Sequence, residues 1–314
     1  MSNPSLAFVF PGQGSQKVGM LAEFVDEAVV QDTFNEASKV LGYDLWALSQ
    51  NGPQEELNMT EVTQPLLLTA SVALWRYWLA NGGVTPAYMA GHSLGEFSAL
   101  VCAGVIEFAD AVDLVRKRGQ FMQTAVPVGV GAMAAIIGLD DDKVDAACES
   151  AAQGECVSGV NYNSPGQVVI AGHAAAVERA IVNCKEAGAK RALPLPVSAP
   201  FHTDLMRPAG EELAKVVAGL TFSAPNVPVV HNVSVQTESD PQTIKDLVVQ
   251  QIYSPVPWTQ CVQYLAGHGV QVTIECGAGK VLSGLNKRVE KELNCLSTET
   301  LETMNAAIEA VSTK

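Results

Sequence analysis

The segment AYMAGHSLGEFSALV, residues Ala87–Val101, contains the pattern Gly-x-Ser-x-Gly between two apolar runs. The first run, Ala87–Gly91, is short and ends in glycine, which predicts a buried strand that leads into a tight turn. The apolar residues of the second run recur at the spacing of one helix face: Leu94, Phe97, Leu100 and Val101. Gly104 is a suitable end for that helix. A strand, a tight turn and a helix in this order predict an α/β fold with a parallel sheet.

The segments on either side follow the same alternation. LAFVF, Leu6–Phe10, predicts a buried strand that ends at Pro11-Gly12. Apolar residues at helical spacing predict further helices: Glu23–Leu41, Thr63–Leu79, Asp110–Ala125 and, near the end of the chain, Thr298–Val311.

The middle of the chain has another order. Its apolar patterns predict strand, helix, strand, strand, helix and strand in turn: Ala132–Leu139, Asp140–Ala152, Cys156–Tyr162, Gln167–Gly172, Ala174–Ala187 and Arg191–Val197. This is the order of a ferredoxin-like α+β unit. We therefore expect a core made of residues 1–127 and 198–314, with a subdomain, residues 128–197, inserted between the two parts.

Composition excludes several classes of protein. Of 314 residues, 48% are hydrophobic, which is too many for a disordered chain. The 33 acidic residues outnumber the 19 basic ones, so the net charge is −14 and nucleic acids and anionic membranes are unfavourable partners. No apolar run is long enough for a membrane helix, and no signal peptide is expected at the N-terminus. Seven cysteines without a C-x-x-C pair predict reduced thiols in a cytoplasmic protein and no zinc site.

Ser93 is the candidate nucleophile. The Gly-x-Ser-x-Gly pattern between a strand and a helix is typical of a nucleophile elbow, where the serine stands exposed above the sheet. Backbone N–H groups at the start of the following helix can stabilise a developing oxyanion. The alternative is a plain turn without catalytic function.

A serine hydroxyl needs a base, and His202 is the best placed of the five histidines. It follows Val197–Phe201, a strand end with a proline, where α/β folds carry catalytic groups. A structural histidine is the alternative. No acid is evident behind it, since Asp204 is too close in sequence, so a Ser-His dyad is expected.

Arg118 lies on the inward, apolar face of its predicted helix, whereas Arg116 and Lys117 lie on the outer face. A buried guanidinium needs an anionic partner. Two partners fit: an internal carboxylate such as Glu96, or the carboxylate of a substrate, which an arginine can bind through two hydrogen bonds.

The glycine-rich segments do not fit nucleotide-binding patterns. Pro11–Gln16 has lysine where G-x-G-x-x-G needs its last glycine, and Gly277–Val281 lacks the first glycine and the Ser or Thr of a phosphate loop. Gly12–Gln16 can instead supply a second oxyanion N–H close to the nucleophile, or it forms a tight turn only.

Taken together, these motifs resemble a known family. Six segments occur in order over most of the chain: PGQGSQ, GHSLGE, the Arg118 helix, NSPGQ at Asn163–Gln167, PFH at Pro200–His202, and GAGK at Gly277–Lys280. The chain resembles the bacterial malonyl-CoA:acyl carrier protein transacylases of type II fatty acid synthesis.

The resemblance implies a hydrolase-like α/β core with an inserted ferredoxin-like subdomain. It implies Ser93 as nucleophile, His202 as base and the backbone carbonyl of Gln251 as the group that orients the base. The other implied roles are oxyanion donors and a carboxylate ligand: the N–H groups of Gln13 and Leu94, and the side chain of Arg118. Phe201 resembles the residue of malonyl-selective members.

The implied activity is transfer of a malonyl group from malonyl-CoA to the phosphopantetheine thiol of acyl carrier protein, through a malonyl-serine intermediate. No metal or redox cofactor is implied, and a cytoplasmic monomer is expected. Because carrier proteins are acidic, docking needs a basic patch. The candidates are Lys190 with Arg191, Lys280, Lys287 with Arg288, and Arg116 with Lys117. Three alternatives remain: a serine thioesterase or hydrolase, a discrete polyketide-type acyltransferase, and a non-catalytic acyl-binding protein.

Overall fold

The computed structural model describes residues 2–312. Residues 1, 313 and 314, the outermost positions of the two expected core segments, lie outside this range. The described strands are β1 Ser2–Phe10, β2 Thr85–Gly91, β3 Gly131–Ile137, β4 Val157–Ser164, β5 Gln167–His173, β6 Arg191–Pro194, β7 Val229–Val230, β8 Val272–Glu275 and β9 Asn294–Ser297. The described helices are α1 Ala28–Leu41, α2 Leu45–Asn51, α3 Gln54–Leu57, α4 Thr60–Ala80, α5 Leu94–Cys102, α6 Phe108–Thr124, α7 Asp141–Ala152, α8 Ala174–Glu186, α9 Arg207–Ala218, α10 Pro241–Gln251, α11 Trp258–Gly267, α12 Val281–Val289 and α13 Leu301–Ser312.

The larger sheet is parallel, as expected. Its strand order is β7-β2-β1-β8-β9, and every pairing in it is parallel. Leu6–Phe10 of β1 are fully buried, with Phe8 packed against α4 and Val9 packed in the cluster on the opposite face. Helices therefore cover both faces, which explains why Leu6–Phe10 form a continuous apolar run instead of an alternating one.

Two aromatic side chains of α4 hold this helix against the sheet. The rings of Trp75 and Trp78 lie edge-on to Phe8 with centroids 5.1 and 5.0 Å away. Such edge-to-face pairs add to the stabilisation from burying apolar area. Other elements cover α4 on most of its sides, so almost all of its residues are buried.

The second sheet is formed by β3–β6. It is antiparallel, with the strand order β4-β5-β3-β6, and it has its own apolar cluster under α7 and α8. Strand β4 joins it to the rest of the chain: Tyr162 N–H donates to the carbonyl of Val256, and Val256 N–H donates to the carbonyl of Val160. These two hydrogen bonds lie close in sequence to the end of α10.

Most predicted elements are observed with shifted ends, and two predictions are wrong in extent. The expected helix Glu23–Leu41 is divided: Ala22–Phe24 form a 3₁₀ turn, and α1 begins at Ala28. Phe24 and Val30 both face the core, so the apolar pattern continues across the turn although the helix does not. The expected strand Arg191–Val197 ends at Pro194, because proline residues at 194 and 196 have no N–H for the ladder.

Candidate active site

Ser93 occupies a tight turn between β2 and α5. Its φ of 51° and ψ of −110° are unusual for a residue with a side chain. Both glycines of the pattern are required by close packing. A Cβ on Gly91 would lie 1.9 Å from the carbonyl carbon of Gly95, and a Cβ on Gly95 would lie 2.0 Å from the carbonyl oxygen of Phe10. The turn therefore leaves the carboxyl end of the parallel sheet with the serine at its tip.

The side chain of His202 is in contact with Ser93. Its Nε2 lies 2.8 Å from Ser93 Oγ, and its Nδ1 lies 3.0 Å from the backbone carbonyl oxygen of Gln251. A carbonyl only accepts, so Nδ1 carries the proton and the lone pair of Nε2 faces the serine hydroxyl. Within residues 2–312, Asp204 pairs with Arg207 on the surface and no carboxylate contacts the ring of His202.

Burial keeps His202 neutral. The side chain is 4% exposed, and its desolvation lowers the pKa from the ordinary 6.5 to about 3, with the positive charge of Arg118 acting in the same direction. The hydrogen bond to the Gln251 carbonyl acts the other way but is the smaller effect. At neutral pH the ring can therefore accept a proton from Ser93.

Arg118 reaches the same point from α6. Its Nη2 donates to Ser93 Oγ at 3.2 Å and to Gln251 Oε1 at 2.8 Å, and its Nη1 donates to Gln64 Oε1 at 2.7 Å. The guanidinium lies over the ring of Phe97, 5.1 Å from the centroid. Burial lowers the pKa of Arg118 to about 10, so the group stays charged at neutral pH.

The internal ion pair that was one alternative for Arg118 is not observed. Within the described chain, no carboxylate oxygen lies within 4.0 Å of its guanidinium nitrogens, and Glu96 contacts His231, Asn232 and Gln251 instead. The Nε–H of Arg118 is buried and has no acceptor among residues 2–312. A fully buried arginine with unused hydrogen-bonding capacity can bind an anion that enters the site.

A cavity of about 140 Å³ contains these groups. The residues at its wall include Gln13, Ser93, Leu94, Arg118, Phe201 and His202. Leu94 is the first residue of α5, and the loop of Gln13 follows β1. In the described hydrogen bonds neither backbone N–H is paired with an acceptor, whereas the N–H of Ser93 donates to Asn232 Oδ1 at 3.0 Å.

The loop after β1 lies directly against the turn at Ser93. A Cβ on Gly12 would lie 2.5 Å from the carbonyl oxygen of His92, so only glycine allows this approach. Ser15 Oγ donates to the Gly12 carbonyl at 3.0 Å and holds the loop in place. Five of the six predicted site residues thus line one cavity, and the sixth, Gln251, lies behind His202.

Sequence reasoning named Glu96 only as a possible partner of Arg118 and missed the buried polar network to which it belongs. It consists of Gln64, Glu96, His231, Asn232 and the side chain of Gln251, each at most 1% exposed. A signal was present for part of this network, because His231-Asn232 follow the apolar strand β7. Buried polar residues are nearly always hydrogen-bonded, so such residues indicate where distant segments of one chain come into contact.

A second cavity of about 240 Å³ adjoins the first and shares Gln13, His92, Asn161 and Leu195 with it. His92 points away from Ser93, and its Nε2 lies 2.7 Å from Asn163 Oδ1 on β4. Leu282 and Leu285 of α12 form part of the opposite wall. We refer to these two adjoining cavities together as the channel to Ser93.

Two further properties bear on function. Among residues 2–312, no three His, Cys, Asp or Glu side chains form a group that could hold a metal ion. No helix in the same range combines the length and the apolar character needed to cross a bilayer.

Comparison with known proteins agrees with this geometry. Residues 7–306 match the acyl transferase domain family. The malonyl CoA-acyl carrier protein transacylase of Escherichia coli K12 is 62% identical over 304 residues, which cover 96% of this chain and 98% of that protein. The crystal structure of an acyl carrier protein S-malonyltransferase from Vibrio cholerae is 60% identical, with a TM-score of 0.95 over 96% of this chain and 99% of that one.

A further solved structure is titled as a malonyl-transacylase in complex with its type II PKS acyl-carrier protein. It is 55% identical, with a TM-score of 0.96, and the match covers 98% of this chain and 99% of that one. Such identity over nearly the full length establishes the relationship. The chain belongs to the acyl transferase domain family and, within it, to the malonyl CoA-acyl carrier protein transacylases.

Proposed function

We propose that this protein transfers a malonyl group from malonyl-CoA to the phosphopantetheine thiol of acyl carrier protein in fatty acid biosynthesis. The observation that carries the proposal is the Ser93–His202 contact beside the buried guanidinium of Arg118. The names of the relatives support the same substrates and partner.

The first half-reaction acylates Ser93. His202 Nε2 takes the proton of Ser93 Oγ while the oxygen attacks the thioester carbon of malonyl-CoA. The C–S bond then breaks, and CoA leaves with the proton from His202. A malonyl-serine ester remains, and no metal or redox cofactor takes part in this step.

The oxyanion formed in this step lies between the N–H groups of Gln13 and Leu94 in our proposal. Their freedom from other acceptors supports it, and the N-terminus of α5 adds a favourable dipole. Such donors typically contribute about 2.7–4 kcal/mol each to lowering the barrier.

The second half-reaction repeats the chemistry with another thiol. The phosphopantetheine thiol of the carrier gives its proton to His202 and attacks the malonyl-serine ester, and the proton passes to Ser93 Oγ as the ester bond breaks. The Gln251 carbonyl holds the ring in the same tautomer for both halves.

Arg118 selects the acyl group by binding the malonyl carboxylate. An acetyl group would leave the buried guanidinium without an anionic partner, and sites built around a polar partner discriminate strongly against analogues that lack it. Phe201, 8% exposed at the cavity wall, limits the space beside the acyl chain.

The finer description of the fold is also part of the proposal. The turn at Ser93 is a nucleophile elbow of a hydrolase-like core, and residues 128–197 are a ferredoxin-like subdomain inserted between residues 1–127 and 198–314. The antiparallel order β4-β5-β3-β6 and the separate apolar cluster support this division. The channel to Ser93 lies at the boundary between the two units.

A basic patch at the mouth of the channel is the proposed docking site for the carrier. Arg191 is opposite Ile137, which is opposite Gln167, and Gln167 Oε1 accepts from Arg288 Nη1 at 2.9 Å. The patch therefore joins the subdomain to α12, whose leucines line the channel. It comprises four exposed residues: Lys190, Arg191, Lys280 and Arg288.

The other candidates are less suitable for docking. Arg116 and Lys117 both pair with Asp113 on their own helix. Lys287 Nζ donates to the carbonyl oxygens of Lys291 and Leu293. The charges of Arg116 and Lys117 are therefore balanced by a carboxylate, and the Lys287 ammonium is directed to the backbone that follows its own helix.

The alternatives differ in the acceptor and in the pathway. A thioesterase or hydrolase would pass the acyl group to water, and a non-catalytic acyl-binding protein would tolerate loss of Ser93. A polyketide-type acyltransferase is favoured by one observation, since a relative was solved with a polyketide carrier protein. We also propose that the protein is a cytoplasmic monomer.

The intact mass of the protein tests these alternatives. The protein is mixed briefly with malonyl-CoA, and a fatty acid or polyketide carrier with phosphopantetheine is then added. One malonyl adduct that is absent in Ser93→Ala and moves to the carrier supports the proposal. Loss of the adduct to buffer as fast as to carrier would indicate a hydrolase. No adduct would indicate an acyl-binding protein, and the faster carrier identifies the pathway.

A further inference from the structure

Glu96 is a fully buried carboxylate that the mechanism above does not use. It lies in the first turn of α5, three residues after Ser93. Its Oε1 is 2.7 Å from His231 Nδ1, and its Oε2 accepts from the N–H of Asn232 at 3.1 Å and from Gln251 Nε2 at 2.7 Å. Such a costly buried charge has three polar partners and no direct contact with Arg118.

The side-chain amide of Gln251 connects the two charges. Its Nε2 donates to Glu96 and to the backbone carbonyl of Ser93 at 3.0 Å, and its Oε1 accepts from Arg118 Nη2 at 2.8 Å. A carboxylate can only accept hydrogen bonds and a guanidinium can only donate them. Both ends therefore require the same orientation of the amide.

We propose that Glu96 is a positioning residue that sets the preference for acyl groups with a carboxylate, because it holds the Gln251 amide oxygen toward Arg118. This rests on the proposed function. Without the carboxylate, Gln251 Nε2 keeps the carbonyl of Ser93 as its remaining close acceptor, and the amide is held less firmly. Its oxygen then fixes the Arg118 guanidinium less well in the orientation in which it meets the malonyl carboxylate.

The indirect connection has an advantage over a direct ion pair. Glu96 offsets the positive charge of the buried guanidinium and raises the pKa of Arg118 against the effect of burial. It does so without occupying the Nε–H, which has no acceptor among the described residues. A direct pair would compete with the substrate carboxylate for the same donors.

The first test compares Glu96→Ala with Glu96→Gln. Rates of Ser93 acylation are measured over a range of malonyl-CoA and acetyl-CoA concentrations, and the ratio of the two kcat/KM values is the readout. Glu96→Ala removes the acceptor, and the malonyl-to-acetyl ratio should fall by about tenfold or more, the usual effect of losing a hydrogen bond to a charged group. Glu96→Gln keeps an acceptor for Gln251 Nε2, while its NH₂ group can donate to His231, so the ratio should stay within about threefold of the native value.

A second variant removes the connection from the other end. Gln251→Met keeps the backbone carbonyl that orients His202 but has no amide, and its volume is similar. Its malonyl-to-acetyl ratio of kcat/KM values should fall as it does in Glu96→Ala. This variant covers the case in which Glu96→Ala, with two buried donors left unpaired, does not fold. Circular dichroism of each variant identifies that case.

Three results would overturn the proposal. They are equal losses of malonyl and acetyl rates in Glu96→Ala or Gln251→Met, an unchanged ratio in Gln251→Met, and a Glu96→Gln protein as unselective as Glu96→Ala. Failure of the proposed function is seen separately, since native protein would then form no malonyl adduct on Ser93.

Discussion

The guanidinium of Arg118 donates a hydrogen bond to the hydroxyl oxygen of Ser93, with Nη2 3.2 Å from Oγ. One buried positive charge thus lies beside the candidate nucleophile and lowers the pKa of its neighbour His202. In the proposed mechanism the same charge binds the malonyl carboxylate. Substrate selection and activation of the nucleophile are therefore expected to depend on one side chain.

Replacement of Arg118 by alanine should reduce acylation by malonyl-CoA by about a hundredfold or more, because the substrate carboxylate loses its buried partner. The rate of acylation by acetyl-CoA should fall less, so the preference for malonyl-CoA over acetyl-CoA should become smaller or reverse. Rates of adduct formation by intact mass check this. Arg118→Lys keeps the charge but lacks the planar fork, so its preference should be intermediate. Equal losses for both substrates would rule out the carboxylate role.

The acylation rate should be nearly independent of pH on the acidic side of neutrality. The pKa of His202 is lowered to about 3 by burial and by Arg118, so the base remains deprotonated as the pH falls. In Arg118→Ala one of these two causes is absent, and the acidic limb should move to higher pH. The kcat/KM profile for acetyl-CoA, measured between about pH 5 and about pH 8, checks both statements. If the kcat/KM profile of the native protein had an acidic limb centred near the ordinary histidine pKa, the burial argument would be contradicted.

Ser93→Gly should be more stable than Ser93→Ala, although neither can form an adduct. The native φ of 51° and ψ of −110° favour glycine, and a side chain in such a conformation costs on the order of 1–3 kcal/mol. Because glycine also gains freedom in the unfolded chain, the expected difference is about 1 kcal/mol. Urea denaturation of the two variants measures it. A more stable alanine variant would mean that the turn is not strained.

Gly95→Ala should destabilise the protein by about 3 kcal/mol or more, because the new Cβ would overlap backbone atoms of β1 that cannot move separately. The carbonyl oxygen of Phe10 would be only 2.0 Å away. Gly284→Ala is the matched control: Gly284 lies in α12 with no atom within 4 Å of the added Cβ. That change should stabilise the protein by up to about 1 kcal/mol through helix propensity. Similar effects of the two substitutions in thermal unfolding would contradict the packing argument.

Arg288→Glu should slow transfer to the carrier by about tenfold, because it reverses a charge in the proposed docking patch. It should leave acylation by malonyl-CoA unchanged, since the residue is not among those that line the cavity of Ser93. Lys117→Glu, with the same change in net charge on α6, is the control and should affect neither step. Single-turnover measurements of the two half-reactions separate these effects. A slower first half-reaction in Arg288→Glu would show that the patch does not act through the carrier.

Several features could be predicted from the sequence because they depend on neighbouring residues. The turn at Ser93 follows from two glycines around it, and the observed packing shows why no larger residue fits. The inward position of Arg118 follows from the period of one helix, and the burial of β1 follows from an unbroken apolar run. Helix ends were less predictable: the same apolar pattern continues through the turn before α1, because a pattern reports burial and not an unbroken backbone.

Only the tertiary structure decided which distant groups meet. His202 lies against a carbonyl 49 residues away, and Gln251 touches Glu96 across 155 residues. These contacts depend on how α10 and the residues after β7 pack below the turn at Ser93, and no local pattern encodes that packing. The sequence by itself determined the parallel α/β core, the turn at Ser93 and the inward arginine, since backbone geometry and burial act over a few residues. The tertiary structure decided that the amide of Gln251 lies between the Glu96 carboxylate and the Arg118 guanidinium, so that the two charges are not in direct contact. The reason is that the hydrogen-bond partners of buried polar groups come from whichever segments the folded chain places beside them.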